Sequence, residues 1–299
     1  MITMKKLCLI FLSLCLLLPS ITLPIYGEEK KQQESSGELA ASAKGVYLCE
    51  NTTGKVIYAR NEKEKLYPAS MTKMMGLLLI FESLHDGKLQ WDDSVTTSEY
   101  AASMGGSQVF LEVGETMSVE DMVKSICIAS ANDAMVAMGE KIGGTTEGFV
   151  EMMNEKAKEL GMEHTHFTNS TGLQDEDHYS TVRDISVLLR YALAGDTFRQ
   201  VFTSSSYSTN PSACHPEGFT FASTMFQEMN SAAVTDGEIL GGKTGYTKEA
   251  GLCLASLALI GQKEYILITA HARGDHETRQ YHVEDAVKVY TQLGKQLPG

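Results

Sequence analysis

The apolar run from Met74 to Leu84, entered through Tyr67-Pro-Ala-Ser-Met-Thr-Lys73, most restricts how this chain can fold. Pro68 favours a helix that starts after it rather than one that runs through it. From there Met71, Met74, Met75, Leu77, Leu78, Leu79, Ile80, Phe81 and Leu84 leave almost no polar face. A helix apolar nearly all round belongs at the centre of a core. The run is too short, and too interrupted by Glu82 and His85, to span a membrane. Ser70 and Lys73 are three apart, so a helix sets them on one face. A serine hydroxyl is a weak nucleophile until a base takes its proton. A lysine held away from water loses its preference for the charged form and can be that base. Taken alone, S-x-x-K is a weak signal, because a capping serine near an exposed lysine has the same spacing.

Upstream, Met1 to Gly27 reads as an export leader. Lys5 and Lys6 supply the charged end, Leu7 to Leu18 the apolar core, and Pro19 and Pro24 break it before a cut after Gly27. Ile25 fits the small-residue rule at the cleavage site poorly, so a form tethered by an uncleaved leader stays open. Residues 28–44 read as a polar linker. Residues 45–299 read as one folded unit, about 270 residues after the leader being enough for two lobes. The formal charge is −13, and without Lys5 and Lys6 it becomes −15. A chain this acidic makes a poor nucleic-acid binder. Cys49, Cys127, Cys214 and Cys253 remain after the leader and form no C-x-x-C pair, which disfavours a zinc ribbon or a redox motif. Three of them sit in apolar runs, so buried free thiols are expected.

Gly45 to Glu50 and Lys55 to Arg60 read as strands joined by the turn Asn51-Thr-Thr-Gly54. Ser118 to Asp121 is a capping-box-like start for a helix through Ile128. Asp133 to Ile142, Thr145 to Leu160 and Val182 to Ala194 continue the helical pattern, the last capped by Ser180-Thr181. Leu252 to Ile260 and Glu264 to Ala272 are apolar runs divided by Gly261-Gln262-Lys263, a hairpin pattern. Thr278 to Leu293 carries one apolar stripe, as in a helix packed on a sheet. Strands at both ends of the chain and helices between them predict an antiparallel sheet with an inserted, mostly helical lobe.

Two further tripeptides matter. Ser130-Ala131-Asn132 falls between two helical stretches and Lys243-Thr244-Gly245 falls at a strand. S-x-x-K, S-x-N and K-T-G in this order resemble the serine penicillin-recognising enzymes. The chain is similar to the serine-type D-alanyl-D-alanine carboxypeptidases, the low-molecular-mass penicillin-binding proteins. The likeness runs from about Gly45 to Leu293 and takes in Phe167 to Leu173, His178 to Asp184 and Gly242 to Gly251. Alanine stands at position 131, where glycine is commoner.

The resemblance implies an α+β fold of the DD-peptidase/β-lactamase type, with about five antiparallel strands flanked by helices. It implies hydrolysis of peptidoglycan stem peptides ending in D-Ala-D-Ala, with β-lactams as covalent inhibitors, no cofactor and no metal. Ser70 would attack, Lys73 would take its proton, and Ser130 would pass a proton to the leaving nitrogen. Asn132 would hydrogen-bond the substrate backbone and Lys73. Lys243 and Thr244 would meet the terminal carboxylate, and Gly245 would leave room for the substrate. The backbone N–H groups of Ser70 and Tyr246 would hold the oxyanion. Many members carry a carboxy-terminal β-rich domain and an amphipathic anchor, and this sequence is expected to have neither. The expected location is therefore outside the cytoplasmic membrane, on its cell-wall side, either soluble after leader cleavage or tethered.

Competing patterns fail. Gly237 to Thr244 fits the P-loop spelling, but a β-like run follows where that motif needs a helix. His276-Glu277 lacks the second histidine of a zinc motif, since Gln280 stands there. A β-lactamase on the same fold would deacylate through a loop glutamate in an E-x-x-L-N setting, which is absent here. An idle wall-peptide or β-lactam binder would not need the full set of reactive side chains.

Overall fold

A computed structural model describes residues 39–296. The leader, and the linker as far as residue 38, lie outside the described residues. Residues 39–44, read as the end of that linker, are packed. Ala40 and Ala43 are buried, and the Arg60 guanidinium donates to the carbonyls of Ala40 (2.8 Å) and Ala43 (2.5 Å). Small alanines in a polar-looking segment can line a core without showing a hydrophobic run.

The elements begin with strands β1 (Gly45–Glu50) and β2 (Val56–Arg60). A 3-10 turn, Ala69–Thr72, leads into α1 (Lys73–His85). Then come β3 (Ser94–Thr96), α2 (Glu99–Ala102), β4 (Thr116–Ser118), α3 (Val119–Ile128), α4 (Asn132–Gly143) and α5 (Thr146–Glu159). They are followed by α6 (Val182–Leu193), α7 (Asp196–Phe202), β5 (Ser206–Ser208), β6 (Thr220–Ala222) and β7 (Ala233–Val234). The chain closes with β8 (Gly237–Thr247), β9 (Gly251–Ile260), β10 (Lys263–Ala272) and α8 (Tyr281–Gln296). Where the sequence suggests caps, they form. Ser118 Oγ accepts from Asp121 N at 3.1 Å and Thr181 Oγ1 from Asp184 N at 3.0 Å.

Six antiparallel strands make the main sheet in the order β2-β1-β10-β9-β8-β7. The sixth, beyond the expected five, is the two-residue β7. The first strand pairs with the last, Gly45 opposite Ala270 through Glu50 opposite Tyr265. The two ends of the chain thus close one sheet, and everything between β2 and β7 is the inserted lobe. Both faces of the sheet are covered. Cys253, Ala255, Leu257, Ile266 and Ile268 point into the core shared with α1 and the other lobe helices. Leu252, Leu254, Ala258, Leu267 and Val46 point into a second core with Val283, Ala286 and Val289 of α8. Burial on both faces is why the β9 and β10 sequences read as continuous apolar runs rather than as alternating ones.

α1 lies at the centre of the lobe, with Lys73 and Met74 to Phe81 buried. Among the described residues no helix is long and apolar enough to cross a membrane. Cys49, Cys127, Cys214 and Cys253 are free, and all but Cys214 are buried. α8 begins three residues later than the stripe from Thr278 suggests. Asp275 Oδ1 accepts from the backbone N–H groups of Glu277 (2.9 Å) and Thr278 (3.1 Å), and that local turn competes with a helix start.

Tyr290 of α8 is 0% exposed, and its hydroxyl is 3.1 Å from both Ser256 O and Ser256 Oγ. Replacing it by Phe removes the hydroxyl but keeps the packing. The expected result is a loss of about 1 kcal/mol in urea unfolding, the net worth of a buried hydrogen bond, and an unchanged midpoint would contradict this pinning of α8.

Candidate active site

Ser70 sits in the 3-10 turn at the head of α1, next to a strained residue. Ala69 has φ +46°, and Ser130, between α3 and α4, has φ +63°. Both are left-handed conformations that cost free energy outside glycine and gather at functional sites. Two glycines let other segments close on Ser70. A Cβ at Gly172 would run into the Ala69 carbonyl, and one at Gly245 would lie 2.9 Å from Ser70 N. The 168–172 loop and strand β8 therefore both close on the nucleophile turn.

The structure brings the three motifs to one cleft, which Ser70, Ser130, Thr244, Gly245 and Tyr246 line together. Lys73 Nζ is 2.9 Å from Ser70 Oγ and 2.8 Å from the carbonyl of Thr171. Lys243 Nζ donates to Ser130 Oγ and to the carbonyl of Thr244, each at 2.8 Å. Both lysines are 0% exposed. Burial, aided by the charge of Lys243, holds Lys73 well below the ordinary lysine range, and the opposing pull of Asp133 is smaller. Burial pushes Lys243 down to about 8. Both shifts favour the neutral amine, and they place beside the Ser70 hydroxyl a lysine that gives up its proton more readily than an exposed one.

Asn132 is placed differently from the expectation. Its Nδ2 donates to the carbonyl of Gly105 at 2.6 Å rather than to Lys73, and its backbone N–H donates to Ser107 O at 2.8 Å. Its Oδ1 is buried without a hydrogen-bond partner. Thr244 Oγ1 shares a hydrogen with Thr224 Oγ1 at 2.6 Å. β7 pairs with Gly237 and Glu238, so among the described residues β9 is the only strand paired with Lys243 to Thr247. The P-loop-like spelling at 237–244 lies wholly inside strand β8, without the turn and helix a phosphate cradle needs. Among the described residues no group of three His, Cys, Asp or Glu side chains could hold a metal.

Three supporting residues escape a reading of motifs. Asp133 is buried and accepts from the backbone N–H groups of Val109 and Leu111, each at 3.1 Å, which ties down the loop above Asn132. Thr171 supplies the carbonyl that holds Lys73. His178 is pushed down to about 4 by burial and is neutral. Its Nδ1 accepts from Thr168 N at 3.1 Å, so Nε2 carries the proton and donates to Thr72 Oγ1 at 2.8 Å. That bridge joins the nucleophile turn to the loop bearing Thr171. Their only sequence trace is the family likeness of segments 167–173 and 178–184 for Thr171 and His178, and of the segment that continues the S-x-N tripeptide for Asp133, and none of these assigns them a role.

The family model described as D-alanyl-D-alanine carboxypeptidase, peptidase S11, matches residues 29–274. D-alanyl-D-alanine carboxypeptidase DacF of Bacillus subtilis is 45% identical over 239 residues, covering 80% of this chain and 60% of DacF. The chain thus spans about three fifths of the length of that curated relative. Among solved structures, penicillin binding protein 6B from Escherichia coli superposes with TM-score 0.73 at 28% identity, over 89% of this chain and 80% of that one. The Streptomyces K15 DD-transpeptidase superposes with TM-score 0.74 at 25% identity, over 86% of this chain and 98% of that one.

The two lysines predict a bell-shaped pH profile for acylation of Ser70. The rate rises with pH as Lys73 loses its proton, because the base must be neutral. It falls as pH passes about 8, because Lys243 must stay charged. Timed acylation by a chromogenic β-lactam between pH 5 and 10 checks both limbs, and a rate still climbing above pH 9 contradicts the assignment to Lys243.

Proposed function

The chain belongs to the peptidase S11 family of D-alanyl-D-alanine carboxypeptidases, and from that membership we propose that it is a serine DD-carboxypeptidase. It removes the terminal D-alanine from peptidoglycan stem peptides through an acyl-enzyme on Ser70. The observation that carries this reading is the contact of Ser70 Oγ with a fully buried Lys73 amine, 2.9 Å apart.

The stem peptide lies along the free edge of β8 and adds to the sheet by main-chain hydrogen bonds, with Gly245 leaving space for its backbone. Asn132 meets the peptide through its unpartnered Oδ1. Lys73 takes the hydroxyl proton as Ser70 Oγ bonds to the carbonyl carbon between the two D-alanines. The oxyanion that forms is held by the N–H groups of Ser70 and Tyr246. Collapse of this intermediate breaks the C–N bond as Ser130 gives a proton to the leaving nitrogen and takes up the one held by Lys73, which leaves that amine neutral again. The Lys243 ammonium beside Ser130 Oγ makes that hydroxyl a better acid. Water then attacks the ester, and its proton returns through Lys73. β-Lactams enter the same path, since opening the ring forms the same ester on Ser70.

Export is part of the proposal. A D-Ala-D-Ala substrate in the wall requires an enzyme outside the cytoplasmic membrane. The charged and apolar pattern of residues 5–18 supports a leader that takes it there.

Two measurements on one preparation test the reading. Intact mass after benzylpenicillin treatment is expected to rise by the mass of the drug and to stay raised over many minutes, and Ser70→Ala is expected to show no adduct. The wild type is expected to release D-alanine from a wall pentapeptide. Fast turnover of the drug without D-alanine release would make the chain a β-lactamase, and a lasting adduct without D-alanine release would make it a binder.

A further inference from the structure

Backbone strain and solvent exposure coincide at one aromatic residue outside the catalytic set. Phe110 has φ +62° and is 71% exposed. A left-handed backbone is an outlier for a bulky side chain, and a large apolar ring left in water is a second cost. The buried Asp133 carboxylate enforces both. It accepts from Val109 N and Leu111 N, on either side of Phe110, each at 3.1 Å. The turn is thereby fixed with the Phe110 side chain held out in solvent.

Phe110 has apolar company. The three most exposed large apolar side chains among the described residues are Phe110, Val113 (61%) and Tyr100 (54%). Thr97 N donates to Glu115 O at 2.8 Å and Gly114 N to Thr97 O at 2.9 Å. These bonds tie the segment that enters α2, and with it Tyr100, to the end of the Phe110 loop. The other end of that loop is at the cleft. Ser107 lines it together with Ser70 and Ser130, and Ser107 O accepts from Asn132 N at 2.8 Å. Phe110 is three residues further on, at most about 11 Å from Ser107.

The chemistry of the substrate narrows what covers this patch. In a stem pentapeptide, the residues between the sugar and the bond that Ser70 attacks extend over about 14 Å. The sugar chain that carries a stem bound in the cleft therefore comes within reach of Phe110. Pyranose rings present faces of C–H groups, which stack on the electron-rich face of an aromatic ring. A run of such rings suits several apolar side chains in a row. Glu99, next to Tyr100, and Glu112, between Phe110 and Val113, are exposed. Their carboxylates can accept from sugar hydroxyl and amide groups, and they oppose an anionic membrane surface.

We propose that Phe110, with Val113 and Tyr100, is a docking surface for the glycan strand that carries the stem peptide. The proposal rests on the DD-carboxypeptidase reading, which puts that stem in the cleft.

The test compares D-alanine release from a free stem pentapeptide and from a soluble glycan fragment of several disaccharides bearing the same pentapeptide. Phe110→Gly removes the ring and adopts the left-handed backbone without strain. It is expected to raise KM for the glycan-borne substrate about tenfold and to leave kcat and the free peptide within about twofold. The thermal unfolding midpoint is expected to stay or rise. Phe110→Tyr, which keeps the ring, is expected to behave as wild type. Equal effects on both substrates, no effect on either, or a loss that Phe110→Tyr shares would overturn the proposal. A lower midpoint in Phe110→Gly would show that the ring packs within the protein and would overturn it too. So would sedimentation with vesicles of anionic phospholipid that Phe110→Gly loses, which would make the patch a membrane contact. If wild type releases D-alanine from neither substrate, the DD-carboxypeptidase reading falls first. Titration with glycan strands stripped of peptide then decides the patch. Binding that Phe110→Gly weakens about tenfold supports it, and binding that is absent or unaltered removes it.

Discussion

The contact between Lys73 Nζ and Ser70 Oγ works as a proton relay only if the lysine is neutral, and much of the fold serves that condition. α1 is apolar along its buried length, so water cannot follow Lys73 into the lobe. Thr171 O accepts one N–H of the amine and so fixes its position beside the serine. Lys243 sits close enough to make a second positive charge unfavourable, and it keeps the proton itself. In the proposed mechanism the two lysines divide the work, one as base and one as cation, although both are fully buried.

The sheet gives the site its rigid side. Its two covered faces place one core under α1 and another under α8, so β8 is braced on both faces while its outer edge has no paired strand past Ile239, whose N–H donates to Ala232 O. An open edge next to a nucleophile is a surface that an extended peptide can complete. The same edge would otherwise be an aggregation hazard, and here it faces a cleft walled by the lobe and the 224–228 segment. The strain at Ala69 and Ser130 is carried by this framework. Ala69 is pinned by Gly172 and Gly245, and Ser130 is held between the ends of two helices.

Most of the regular elements were legible in the sequence because their signals are local. Ser118 and Thr181 cap the helices they precede, and Gly261, with φ +60°, makes the β9–β10 turn. The three motifs were legible as a family likeness, each tripeptide being too common to speak alone. What was hidden depends on distant partners. The ribbons β3–β4 and β5–β6 have strands of three residues, too short for any alternation to register. α8 starts late because the Asp275 turn outcompetes it. Thr171 acts through a backbone carbonyl, which no side-chain pattern reveals. Asn132 was expected on Lys73 but donates to Gly105, because the loop tied down by Asp133 reaches it first. The packing of residues 39–44 is likewise a contact with Arg60 and Asp285 across the fold.

The central claim is a statement about one proton, and it can be observed directly. Lysine labelled with 13C at Cε reports its own ionisation by chemical shift, and Lys73→Met and Lys243→Met variants assign the two buried signals. The account predicts that at pH 7 the Lys73 signal has the shift of a neutral amine while that of Lys243 remains charged and titrates near 8. A Lys73 signal that stays charged through pH 9, in folded protein that acylates normally, would contradict it.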